Sequence, residues 1–182
     1  MDKWQKELML NRFIFEPQKY RGKEPNIVKE NNDLNFCRAF FRKNYVDEEL
    51  VKQLLEESIL NKNNEDLDLI LMLLEHFNMI KQFNITLAKL LVQPWHHFHD
   101  RIAGDLEFNV SDNITEYLYN GALYTCDNLE YESDYCGFNK KCLYALAKIG
   151  TKEAINYINK VKENGNSIVA NYANEILIKY NY

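Results

Sequence analysis

The chain has 182 residues and a mass of 21.7 kDa, with 46% hydrophobic and 27% charged residues. These fractions sit near the globular averages of roughly 45–50% and about 25%, which excludes a disordered or fibrous protein. Six Gly and three Pro are too few for the many tight turns of a sandwich or barrel, so an all-α fold is expected. Twenty-two Lys and Arg against 27 Asp and Glu leave a net charge of −5, without the overall basic footprint of a nucleic-acid binder.

No apolar run reaches the ~18 residues of a membrane helix, and Met1–Leu10 carries Asp2, Lys3, Lys6 and Glu7 where a signal peptide is apolar. Cys37, Cys126, Cys136 and Cys142 form no C-x-x-C pair. This usage fits reduced thiols, so a cytoplasmic protein without cofactor or membrane contact is expected.

Taken in chain order, residues 1–32 read as an N-terminal extension: Trp4, Leu8 and Leu10 start a short helix, and Pro17, Gly22 and Pro25 break the chain beyond it. A single helical domain is expected over 33–182. Behind an acidic cap at Asp33, Leu34, Cys37, Phe40 and Phe41 recur at helical spacing. Asp47 caps a helix carrying Leu50, Val51, Leu54, Leu55 and Ile59, and a second stripe runs from Leu67 to Phe77 after the polar break Asn61–Asn64. Ile85–Val92 and His96–Phe108 form the next pair, with Gly104 weakening the latter. Ile114, Leu118, Ala122 and Leu123 precede a polar and aromatic loop, Asp127–Gly137. Beyond it a stripe from Cys142 to Ile149 stops at Gly150, Thr151 caps the following helix, and Ile168 to Tyr180 closes the chain.

The first helices of successive hairpins start near residues 47, 84, 112 and 152, spacings that bracket a HEAT-type period. Hairpins of this kind bury their apolar faces by stacking, which predicts a short right-handed α-solenoid, with a globular helical bundle as the alternative.

Charge is distributed unevenly. Residues 102–139 contain no Lys or Arg but eight acids, Asp105, Glu107, Asp112, Glu116, Asp127, Glu130, Glu132 and Asp134, so they carry −8 while the rest sums to +3. With Tyr124, Tyr131 and Tyr135 interleaved, this segment suits docking of a cationic partner.

Three of the four histidines fall in Trp95-His96-His97-Phe98-His99-Asp100. On a helix His96 and His99 share a face, with Asp100 one position further round. A metal there needs a third ligand from His76, Glu116 or a cysteine, since two histidines do not make a zinc site. The structural alternative is that these groups cap the helix after Pro94 and bridge to the neighbouring repeat, with Trp95 filling the groove between hairpins. Cys37 and Cys142 fall on apolar stripes and read as core, and no glycine-rich phosphate cradle or nucleophile elbow is present.

Leu90-Leu91 leads into Trp95-His96-x-x-His99-Asp100, then come Leu118-Tyr119, Ala122 and Tyr135, then Lys141-Cys142-Leu143-Tyr144-Ala145-Leu146-x-x-Ile149-Gly150-Thr151-x-x-Ala154. Over about residues 87–180 this combination resembles the HEAT-like immunity proteins that accompany polymorphic toxins, including those of contact-dependent growth inhibition. The W-H-x-x-H-acid element is its more specific part, and Asp100 stands where Glu is expected.

The resemblance implies a cytoplasmic inhibitor, not an enzyme, that binds one cognate toxin domain, commonly a nuclease, and is monomeric before the complex forms. The expected partner-binding residues are Asp127, Glu130, Tyr131, Glu132, Asp134 and Tyr135, followed by Trp95, His96, His99 and Asp100. A HEAT-like adaptor with another partner, or a metal-dependent hydrolase using the histidines, remain the alternatives.

Overall fold

A computed structural model describes residues 1–19, 25–125 and 136–182, and these contain helices and no strand. Contacts divide the chain into two compact units, Met1–Met79 and Ile80–Tyr182. The division therefore falls after Met79 and not after residue 32.

The first unit begins with α1 (Lys3–Leu10), which continues through a π-helical turn (Asn11–Phe15) into α2 (Glu16–Lys19). Asp2 closes a capping box with Gln5 at the start of α1. This segment is no loose extension, because Met9 is fully buried and α1 packs on both α3 (Asn26–Phe40) and α5 (Asn64–His76). Pro25 stands at the N-cap of α3, where its missing N–H costs nothing. Asp33 is consequently an interior residue of α3, not the expected cap.

Its carboxylate serves a different purpose: Oδ1 accepts from Arg12 Nε at 2.7 Å and from His76 Nε2 at 2.6 Å. Arg12 is only 2% exposed and also reaches Glu16. Burial by itself pushes the Asp33 carboxyl up, but the hydrogen bonds and charges of His76 and Arg12 outweigh it and hold the group below its usual range. Beside this cluster Phe36 stacks on Phe40 at 5.2 Å and on Phe77 at 6.0 Å, with Phe13 5.2 Å away. The hairpin of α4 (Glu48–Leu60) and α5 completes the unit, with Asp47 and Asn63 at the caps.

The second unit contains three helix pairs: α6 (Asn84–Leu90) with α7 (His99–Phe108), α8 (Thr115–Leu123) with α9 (Gly137–Ile149), and α10 (Lys152–Asn164) with α11 (Ser167–Tyr180). Each helix also touches the one two places along, α6 with α8, α8 with α10, α7 with α9 and α9 with α11. Helix α9 is the hub, and it buries Phe138, Cys142, Leu143, Ala145, Leu146 and Ala147. Burial pushes the Cys142 thiol far above its ordinary value, and raises Cys37 as well, so both behave as the core residues expected from their stripes.

Gly104 does not interrupt α7, and a Cβ there meets nothing closer than Lys141 at 3.9 Å. At Gly121 a Cβ falls 3.0 Å from Cys142 Sγ, so α8 and α9 approach through it. Gly150 ends α9 in the left-handed region at φ 66°, and Thr151 accepts from Ala154 N to start α10. Among the described residues no helix is long and apolar enough to cross a membrane.

Candidate functional site

Helix α6 ends at Leu90, and its last carbonyls find partners beyond the helix, Leu90 O accepting from Gln93 N at 3.0 Å. The chain turns at Pro94 and brings two histidines back to them. His96 Nε2–H donates to Leu90 O at 2.9 Å, while its Nδ1 accepts from Phe98 N at 3.1 Å, which fixes a neutral tautomer. His99 Nδ1 lies 3.1 Å from Leu91 O and its Nε2 3.0 Å from His96 O. A neutral ring carries one N–H, so it donates to one of these carbonyls at a time.

The two rings stack at 4.4 Å, and His99 packs against Tyr124 and Phe138 at 5.6 Å each. Both histidines are buried, at 2% and 0% exposure. Burial lowers the pKa of His96 to about 4, assisted by His99 nearby, and lowers that of His99. The latch is therefore neutral at physiological pH.

This geometry gives the Leu90-Leu91-x-x-x-x-His96-x-x-His99 spacing a physical meaning, since each ring reaches a carbonyl of the preceding helix end. His96 lies ahead of α7 and not on it, because the helix begins at His99. The expected shared face is thus replaced by ring stacking, and as partner contacts His96 and His99 are withdrawn by their burial. Trp95 and Asp100 remain half-exposed, with Trp95 edge-on to His96 at 5.0 Å. Among the described residues no three His, Cys, Asp or Glu side chains converge on a metal-binding position.

Asp100 also ties α7 to α9 through an ion pair with Lys141, and two turns further on Glu107 pairs with Lys148 at 2.8 Å. Of the eight acids in 102–139, Asp105, Glu107, Asp112 and Glu116 are described, and Asp112 and Glu116 are exposed. The expected contacts Asp127, Glu130, Tyr131, Glu132, Asp134 and Tyr135 lie outside the described residues, as does Cys126.

A residue that the sequence pattern does not single out ties the end of α8 to the start of α9. Asn139, in the first turn of α9, is buried and donates through Nδ2 to Gly121 O and Ala122 O at 3.1 Å each and to Tyr124 O at 2.9 Å. It caps the C-terminus of α8 from 15 to 18 residues away, and standing between Phe138 and the Lys140-Lys141 pair it carries no signal in the sequence. In comparisons with known proteins, no family model matches this chain and neither a curated protein nor a solved structure does.

Proposed function

We propose that this protein is an immunity protein that binds and neutralises a cognate toxin domain, commonly a nuclease, through a surface centred on the acidic segment 102–139. The observation that carries the reading is the charge of that segment, eight acids with no Lys or Arg. Such a field attracts a domain whose own surface is basic because it holds phosphates. Asp127, Glu130, Glu132 and Asp134 supply the charge, Tyr131 and Tyr135 the aromatic anchors, and Trp95 and Asp100 a secondary contact. The bonds from Asn139 to the end of α8 support this role, because they tie together the two helices that flank residues 126–135, which carry Asp127, Glu130, Glu132 and Asp134.

The ordering of the second unit supports a HEAT-like stack over a globular bundle. Helices α6, α8 and α10 contact one another in succession, and so do α7, α9 and α11, as two layers of stacked hairpins do. The protein acts as an inhibitor and not as an enzyme. A hydrolase built on the histidines is disfavoured because both nitrogens of His96 are engaged in hydrogen bonds to backbone.

The test is a pull-down from the native host with mass spectrometry at low and moderate salt. Recovery of one basic toxin fragment near one-to-one stoichiometry is expected. Replacing Asp127 and Asp134 by Asn and Glu130 and Glu132 by Gln then weakens binding and flattens its salt dependence. Unchanged affinity and salt dependence in that variant removes the acidic surface from the proposal, and many weak partners point to an adaptor instead.

A further inference from the structure

Two Asn-Gly dipeptides occur in the chain, Asn120-Gly121 and Asn164-Gly165. In such a pair the glycine nitrogen, unshielded by a side chain, can attack the preceding carboxamide, so each is a reactive spot that the fold either restrains or exposes. Both glycines are held in place by close packing. A Cβ at Gly121 falls 3.0 Å from Cys142 Sγ, and one at Gly165 falls 2.7 Å from Val161 O.

The two pairs differ in what has to open before they react. The attack needs a glycine nitrogen stripped of its proton and a non-helical backbone at the asparagine, neither of which an intact helical turn allows. Gly121 is buried within α8, and its carbonyl accepts from Asn139 Nδ2 of α9 at 3.1 Å. Opening the backbone there disrupts the packing of α8 on α9. Asn164, by contrast, is the last residue of α10 and is exposed. Two bonds hold it, from Gly165 N–H to Val161 O at 2.8 Å and from Asn164 Nδ2 to Lys160 O at 2.9 Å. Both belong to the final turn of a helix, the part that frays at least cost. The turn also borders a cavity of about 250 Å³ lined by Tyr124, Asn139, Asn164 and Val169, which leaves room for the side chain to swing and for water to enter.

We propose that Asn164 is a site of spontaneous covalent modification in the folded protein, at which the Gly165 nitrogen converts the carboxamide to aspartate and isoaspartate, while Asn120 stays intact. The bond from Gly165 N to Asn164 Cγ forms as the Cγ–Nδ2 bond breaks, and Nδ2 leaves as ammonia with the proton given up by Gly165. Water then opens the five-membered imide. Attack at Cγ gives aspartate, and attack at the main-chain carbonyl carbon of residue 164 gives isoaspartate. Aspartate loses the donor to Lys160 O and places a charge at the C-terminus of α10, where the helix dipole is already negative. Isoaspartate lengthens the backbone by one methylene in the turn that leads to Asn166, the cap of α11. Either product loosens the last hairpin and adds one negative charge to the formal −5. The reaction does not rest on the toxin reading.

The experiment incubates the full-length protein in mildly alkaline buffer, folded and in urea, and follows both dipeptides by peptide mass spectrometry with the isoaspartyl products separated. In urea the two pairs convert within about threefold of each other, which sets the intrinsic rate of the unfolded chain. In folded protein, conversion at Asn164 exceeds that at Asn120 by roughly tenfold or more, because fraying of a helix end precedes global opening. Asn166→Ala removes the cap of α11, so it speeds conversion at Asn164 and leaves Asn120 unchanged. Asn164→Gln, whose longer side chain closes a ring less readily, abolishes the acidic species. Equal rates at the two pairs in folded protein, no conversion at Asn164 while the unfolded chain converts completely, or no acceleration by Asn166→Ala overturns the proposal.

Discussion

In the first unit His76 donates to the Asp33 carboxylate beside a buried guanidinium, whereas in the second unit His96 and His99 face backbone carbonyls. The former arrangement gathers formal charges that must compensate one another at partial burial, so losing one member strands the others. The latter holds neutral rings against backbone carbonyls at a helix end, so its strength depends on keeping protons off the rings. The same side chain thus bridges to a carboxylate in one unit and serves as a proton-sensitive latch in the other. The chain's two tryptophans, Trp4 and Trp95, fall one in each unit, so Trp4→Phe and Trp95→Phe backgrounds report each unit separately.

The largest effect is expected from Arg12→Leu, which takes the buried guanidinium from Asp33 and Glu16 and destabilises the first unit by about 3 kcal/mol. Urea unfolding followed by Trp4 fluorescence measures it, and a loss below about 1 kcal/mol means that the cluster is not a staple. His99→Ala removes hydrogen bonds and a buried ring from the second unit, at a cost of about 2–3 kcal/mol. In the comparison followed by Trp95, an effect equal in both units breaks the assignment of the latch to the second.

Acidification separates the two sites without mutation. The folded pKa of His96, about 4, lies below its unfolded value of 6.5. The unfolded chain therefore binds the proton first, and this contribution is complete above pH 6.5 and lost as pH falls toward 4. Asp33 has a depressed pKa, so its contribution persists above its unfolded value near 3.8 and is lost below it. Between pH 6.5 and 4 the Trp95 transition shifts to lower urea and the Trp4 transition moves less; parallel shifts contradict the contrast.

Gly121→Ala places a Cβ against Cys142 Sγ and costs about 1 kcal/mol, which thermal unfolding detects. The smallest change is Asp100→Asn, under about 1 kcal/mol, because the pair with Lys141 is 35% exposed on each side. A larger loss makes this ion pair part of the latch.

Helix periodicity was legible in the described hairpins from Asp47 onward. Expected hairpin starts near 47, 84, 112 and 152 correspond to helices or their leading turns at Glu48, Asn84, Asp112 and Lys152, because apolar spacing and capping are properties of a few consecutive residues. Asp47, Thr151 and Gly150 stand at helix ends for the same reason. Asp33 misled because an acid ahead of an apolar stripe has the same local signature as a cap, and only Arg12 and His76, 21 and 43 residues away, reveal its use. The histidine cluster was visible as an anomaly, but its pattern alone fits a metal, a partner or a latch.

By itself, the sequence determined the all-α class, the approximate starts of the hairpins, the core stripes and the local concentration of acid. Tertiary structure decided that residues 1–19 belong to a packed unit, that His96 and His99 answer to the carbonyls of Leu90 and Leu91, and that Asn139 closes α8. The difference is one of range. Helices are selected by interactions three and four residues apart, whereas the partner of a buried polar group is whichever unsatisfied group the packed backbone brings within about 3 Å.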